Sequence, residues 1–124
     1  MLKKVLIVDD DPDFCDVLRD FLRSKGFEVA ITLSGERALL AYMQEKPDVV
    51  LLDIQMPGPH GLEILRELKV LDQGANVIIV TAIEDDEIVM RAMAEGALDY
   101  IIKPVNPYDL VLGLTKKTGL FEKR

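Results

Sequence analysis

Residues 49–58 read Val-Val-Leu-Leu-Asp-Ile-Gln-Met-Pro-Gly, and no other stretch limits the fold as strongly. Four apolar residues run without a polar break into Asp53, and the chain then meets the turn-forming pair Pro57 and Gly58. An apolar run this short and continuous, closed by turn residues, suits a strand covered on both faces. A carboxylate at the end of such a strand lies at the rim of the core. Asp53 is therefore the point against which the rest of the chain is read.

The remaining segments repeat the pattern. Residues 5–8 are apolar and run into Asp9, Asp10 and Asp11, which predicts a first strand. Asp11 before Pro12 is a helix cap followed by proline at the first helical position. Phe14, Leu18, Phe21, Leu22 and Lys25 follow at helical spacing, with Gly26 as the stop. Phe27–Thr32 predicts a second strand, less apolar and so suited to an edge. Ser34 caps a second helix through Ala38, Leu39, Ala41, Tyr42 and Met43 to about Glu45, and Pro47 ends it. After the strand of the opening stretch, Leu62, Leu65 and Leu68 mark a third helix over Gly61–Leu71. Residues 76–81 give a fourth strand, again fully apolar over Val77, Ile78, Ile79 and Val80. The acids at 84–87 open a fourth helix, where they favour the positive end of the helix dipole, and it ends near Gly96. Residues 98–103 give a fifth strand, and Asn106 with Pro107 starts a fifth helix that ends by Gly119.

Five strands thus alternate with five helices. Strict alternation implies a parallel sheet with helices on both faces and right-handed crossovers. The chain of 124 residues has room for one core, and neither repeats nor linkers divide it, so residues 1–124 are expected to form a single domain. A net charge of −7 disfavours direct nucleic-acid binding, since phosphates repel an acidic surface. No apolar stretch is long enough to cross a bilayer, no signal-peptide pattern precedes the first strand, and the one cysteine, Cys15, allows no internal disulfide. A cytoplasmic protein is the simplest expectation.

In a parallel sheet every strand ends at one edge, and ligands bind there. The residues that follow the strands are Asp9, Asp10 and Asp11, then Asp53, Thr81, and Lys103 with Pro104. Clustered carboxylates repel, and burial raises their pKa values, so a compensating charge is required. A divalent cation supplies it. Hard oxygen donors suit magnesium, with manganese as its substitute. Lys103 adds a second positive charge that helps keep Asp53 ionised, and the Thr81 hydroxyl can donate to a phosphoryl oxygen. Acid, metal, lysine and hydroxyl together describe phosphoryl transfer to a carboxylate.

The pieces Val8-Asp9-Asp10, Leu52-Asp53 with Met56-Pro57-Gly58, Thr81-Ala82 and Lys103-Pro104 stand in the order and spacing of the receiver domains of two-component response regulators. The chain resembles that family over essentially its full length. The resemblance implies a flavodoxin-like (βα)5 three-layer sandwich with strand order 2-1-3-4-5. It implies that Asp53 is the phosphoryl acceptor, charged by a sensor histidine kinase or a histidine phosphotransfer protein. Asp10, Asp53 and the backbone carbonyl of Gln55 would ligate magnesium, with Asp9 acting through a metal-bound water. Thr81 and Lys103 would hold the phosphoryl group, and the Lys103–Pro104 bond would be cis. Thr81 and Tyr100 would form the switch, reshaping the face of the fourth helix, fifth strand and fifth helix for a downstream effector or a phosphorylation-dependent homodimer. No membrane partner and no output domain are implied.

Some residues depart from the family's common pattern. His60 replaces a more usual acid or other polar residue, and Val105 replaces a phenylalanine. Gln55 and Ile83 stand where the family tunes hydrolysis of the acyl phosphate, and Ile83 has no group to position a water. Plainer roles also exist. Asp11 serves as a helix cap, His60 as an exposed loop residue, Cys15 as a partly buried helix residue, and Met90 and Met93 as core or, alternatively, as part of a partner surface. Two other functions would use a similar frame. A magnesium-dependent phosphatase of the haloacid-dehalogenase type carries a second acid two residues past its nucleophile, where this chain has Gln55. A flavodoxin-like cofactor binder would place a Ser-, Thr- and Gly-rich phosphate loop after the first strand, where this chain has acids.

Overall fold

Successive side chains along β1 (Lys3–Val8), β3 (Val49–Leu52) and β4 (Val77–Thr81) enter two different cores. Leu6, Val8, Val50, Leu52, Val77 and Ile79 pack on one side, and Val5, Ile7, Val49, Leu51, Ile78 and Val80 on the other. Side chains alternate across a strand, so a run with no polar residue has no face left for water. The computed structural model of the chain describes residues 3–56 and 61–118.

The helices are α1 (Pro12–Ser24), α2 (Ala38–Glu45), α3 (Gly61–Leu71), α4 (Asp86–Ala94) and α5 (Pro107–Thr118), and the other strands are β2 (Phe27–Thr32) and β5 (Asp99–Ile102). The sheet order is β2-β1-β3-β4-β5, and every pair is parallel. This is the flavodoxin-like (βα)5 sandwich. Ala38 of α2, Leu62, Ile64, Leu65 and Leu68 of α3 and Ala92 of α4 cover one face. Cys15, Leu18 and Leu22 of α1 with Leu110 and Leu114 of α5 cover the other. The less apolar β2 is an edge strand.

Polar residues set the helix ends. Asp11 accepts hydrogen bonds from the backbone N–H groups of Asp13 and Phe14, and Pro12 opens α1. Gly26, at φ +94°, turns the chain out of α1 into β2. Asp85 caps α4, and Asn106 accepts from Tyr108 and Asp109 at the start of α5. Ser34 differs from expectation. It caps a short 3-10 turn, Gly35–Arg37, and α2 begins only at Ala38. Pro57, Gly58, His60 and Gly119 lie outside the described residues.

Two burial expectations change. Cys15 is wholly buried, because it points from α1 onto the sheet. Met90 and Met93 are not core. They are 71% and 43% exposed, and Ala92 is the fully buried residue of α4. The apolar stripe of α4 is thus narrower than its composition suggests. Among the described residues no helix is long and apolar enough to cross a membrane.

Candidate functional site

Hydrogen bonding continues one residue past the strands, and this sets the geometry of the site. The N–H of Asp9 donates to the Thr32 carbonyl, that of Asp53 to the Val8 carbonyl (2.9 Å), and that of Lys103 to the Thr81 carbonyl (2.8 Å). Each residue following a strand is therefore locked beside its neighbour's last residue. Asp9, Asp53 and Lys103 come from distant parts of the chain and meet at one edge.

Asp9 and Asp53 are buried, 2% and 5% exposed, while Asp10 faces solvent. One carboxylate oxygen from each of these three residues lies within 4.8 Å of the others. The Lys103 ammonium donates to Asp9 Oδ2 at 2.8 Å and to Asp53 Oδ2 at 3.1 Å. The other oxygens are held by backbone: Asp9 Oδ1 accepts from the N–H of Asp11 at 3.0 Å, and Asp53 Oδ1 from the N–H of Gln55 at 2.8 Å. The Lys103–Pro104 peptide bond is cis.

Burial and charge oppose one another at the site. Burial pushes the Asp9 carboxyl above its ordinary value, and the hydrogen bond from Lys103 offsets this only in part. Burial alone would lower the pKa of Lys103. Its hydrogen bonds to Asp9 and then to Asp53 outweigh that, so its net shift is upward. Beneath the site the Cys15 thiol is pushed up to about 12, first by burial and then by the fields of Asp9 and Asp11, and it lies 3.5 Å from the Asp9 carbonyl oxygen that accepts from it. Such a thiol is a packing group rather than a nucleophile.

Thr81 ends β4 with no exposed surface, and its Oγ1 has no hydrogen-bond partner among the described residues. An unpaired buried hydroxyl costs about 1–3 kcal/mol, so a partner from outside the chain, a bound oxygen or a water, suits it. Three acids, one lysine and a hydroxyl awaiting an acceptor fit a cation and a tetrahedral oxyanion. The oxygen-only donor set of Asp9, Asp10 and Asp53 can coordinate a cation.

Tyr100 stands apart from the acids. Its ring is half-buried against the core of α3 and α4, and its hydroxyl donates to the Ile83 carbonyl at 2.8 Å. Burial, then the fields of Asp53 and Asp85, raise its phenol. Thr81 and Tyr100 are therefore linked through the two residues that lead from Thr81 to Ile83. The sequence marks Phe14 only as a helix-face residue, yet its ring lies against the Lys103 ammonium, 4.3 Å from Nζ to the ring centre. Its place in the first turn after the Asp11 cap was the only available signal.

Residues 5–115 match the family model of the response regulator receiver domain. The chain belongs to that family. The receiver domain is 39% identical over 111 residues to the DNA-binding response regulator MtrA of Mycolicibacterium smegmatis, covering 90% of this chain and 48% of that protein. It thus spans about half the length of the curated mycobacterial relatives it matches. Among solved structures it resembles a CheY-like receiver domain protein from Methanospirillum hungatei, with a TM-score of 0.92, 34% identity, and coverage of 96% and 95% of the two chains. It also resembles the BeF3-activated receiver domain of Klebsiella pneumoniae RstA, with a TM-score of 0.88, 32% identity, and coverage of 94% and 98%. Family membership together with the Asp9, Asp10 and Asp53 cluster makes the receiver domain a phosphoacceptor switch. It acts in signalling rather than as a phosphatase of metabolites or a flavodoxin-like cofactor binder.

Proposed function

We propose that Asp53 accepts a phosphoryl group from a phosphohistidine, on a sensor histidine kinase or a histidine phosphotransfer protein, in a reaction that requires Mg2+. The observation that carries this reading is the bridge from Lys103 to both Asp9 and Asp53, with the backbone of Lys103 bonded to Thr81, whose hydroxyl has no partner among the described residues. Asp9, Asp10, Asp53 and the Gln55 carbonyl would hold the cation. When bound, Mg2+ neutralises the carboxylates and the phosphoryl oxygens.

The chain's own residues account for the rest. The backbone N–H of Gln55 orients the Asp53 carboxylate, and the Lys103 ammonium holds a positive charge against it. A carboxylate oxygen of Asp53 forms the new bond to phosphorus as the phosphorus–nitrogen bond of the donor breaks, and the electron pair leaves with the imidazole. Lys103 then pairs with the transferred phosphoryl oxygens, and Thr81 Oγ1 donates its free hydrogen to one of them. As Thr81 moves toward that oxygen, the segment to Ile83 moves with it, and Ile83 carries the acceptor of the Tyr100 hydroxyl. Tyr100 thereby reports to the face of α4, β5 and α5. Met90, Met93, Ile102 and Leu112 expose apolar surface on those elements, which suits an effector or a second copy.

The test uses a small phosphodonor. With Mg2+ the protein should gain one acid-resistant, base-labile phosphoryl group on Asp53, and chelation of the metal should prevent the gain. A gain mapped to another residue would overturn the assignment. Sizing with beryllium fluoride as the phosphoryl mimic separates an effector-docking face, which leaves a monomer, from a homodimer.

Ile83 bears on lifetime. Its side chain is half-buried and packs on the core, so it offers no polar atom to an attacking water. Ile83→Glu is expected to speed loss of the phosphoryl group about tenfold, the scale of 1.4 kcal/mol. Decay of the phosphorylated protein, followed by mass spectrometry, checks this, and a slower variant would contradict it.

A further inference from the structure

The Lys103 ammonium has a neighbour that the phosphoacceptor chemistry does not use. Its two carboxylate hydrogen bonds, to Asp9 and Asp53, leave another side of the ammonium against the face of Phe14, with 4.3 Å from Nζ to the ring centre. A lysine reaches its target on a flexible four-carbon stem, so its head needs walls to stay in one place. An aromatic face supplies one. The ring quadrupole attracts the cation yet takes up no hydrogen bond that the carboxylates need.

The backbone holds Phe14 there for the same reason that it holds Asp9. Asp11 Oδ1 accepts from the N–H of Phe14 at 3.2 Å, and the N–H of Asp11 donates to Asp9 Oδ1 at 3.0 Å. One residue thus aligns an acid and an aromatic ring on the same ammonium. Phe14 also packs against the core of α1 and α5, which accounts for an apolar residue at this position. Leucine would also serve as an apolar residue there. Only an aromatic ring presents a π face to the cation.

We propose that Phe14 is a positioning residue that holds the Lys103 ammonium between Asp9 and Asp53 through a cation–π contact. The inference rests on the phosphoacceptor reading and adds a residue to it. Phe14→Leu keeps the position apolar, at a somewhat smaller volume, and removes the ring, and Phe14→Tyr keeps the ring. With Mg2+ and a small phosphodonor, phosphorylation of Asp53 in Phe14→Leu should be about threefold to tenfold slower than in the wild type. Phe14→Tyr should restore the wild-type rate. Independently of rate, ring current should move the Lys103 methylene protons next to Nζ upfield in the wild-type NMR spectrum, and Phe14→Leu should return them to their ordinary position.

A wild-type rate in Phe14→Leu would overturn the proposal, as would a Phe14→Tyr variant as slow as Phe14→Leu, or ordinary Lys103 shifts in the wild type. In each of these cases wild-type Asp53 is still phosphorylated and the phosphoacceptor reading stands. A wild-type protein with no phosphoryl group on Asp53 would overturn both.

Discussion

Asp53→Asn is expected to take up no phosphoryl group from a small phosphodonor in the presence of Mg2+, and to show no change in size with beryllium fluoride. The substitution exchanges one oxygen for an NH2 group of nearly the same volume, so the buried position stays filled. The hydrogen bond from the Gln55 N–H, 2.8 Å long, survives on the amide oxygen. What disappears is the negative charge. A neutral amide oxygen is a poor nucleophile, and Lys103 loses one of its two carboxylate partners. Folding should not suffer, because the change also relieves repulsion among three carboxylates whose oxygens lie within 4.8 Å. Intact-mass measurement reads the first effect and a thermal melt the second. A phosphoryl gain equal to the wild type would remove Asp53 from the chemistry. An unfolded variant would contradict the argument from charge.

Gly61→Ala should damage the site from the packing side. Gly61 begins α3, and its Cα lies so close to β3's continuation that a methyl group would overlap Cα and Cβ of Ile54. Ile54 directly follows Asp53 and is itself buried. Two effects compete. Alanine improves helix propensity over glycine by up to about 1 kcal/mol. Forcing a methyl into a packed site costs about 3 kcal/mol, and here the obstacle is backbone rather than a side chain that can rotate away. The clash wins by about 2 kcal/mol, which corresponds to a fall in melting temperature of about 5–10 °C for a domain of this size. Relief of the overlap must separate α3 from the segment after Asp53, so phosphorylation should slow as well. An unchanged melting temperature would show that the two backbones are not held together as closely as the structure has them.

These two residues also separate what is legible in a sequence from what is not. Asp53 stands out because its setting is local: four apolar residues and then an acid, with no intervening polar group to make it ordinary surface. Gly61 does not stand out. A glycine at a helix start has many uses, and only the approach of Ile54 shows which applies. Phe14 is a similar case. Its spacing with Leu18 and Leu22 marks a helix face, but the contact with Lys103 spans most of the chain and has no local signature. Met90 and Met93 are exposed and not core, which leaves the alternative of a partner surface, because helical spacing fixes which residues share a face, not how far the neighbouring elements extend over it. Ser34 is a cap, but a 3-10 turn rather than the α-helix follows it.

The amino-acid sequence by itself determined the alternation of strands and helices, the caps at Asp11 and Asn106, and which residue follows each strand. Those are local matters: short apolar runs, side chains that can accept from nearby N–H groups, and prolines that fix one backbone angle. The strand order and the gathering of Asp9, Asp53 and Lys103 at one edge were expected from the alternation and the family resemblance, and the tertiary structure alone decided the distances at which they meet, the burial of a Thr81 hydroxyl with no partner among the described residues, and the ring against the lysine. Those depend on long-range register, and register follows from how two apolar faces are covered at once, which no single stretch of chain encodes.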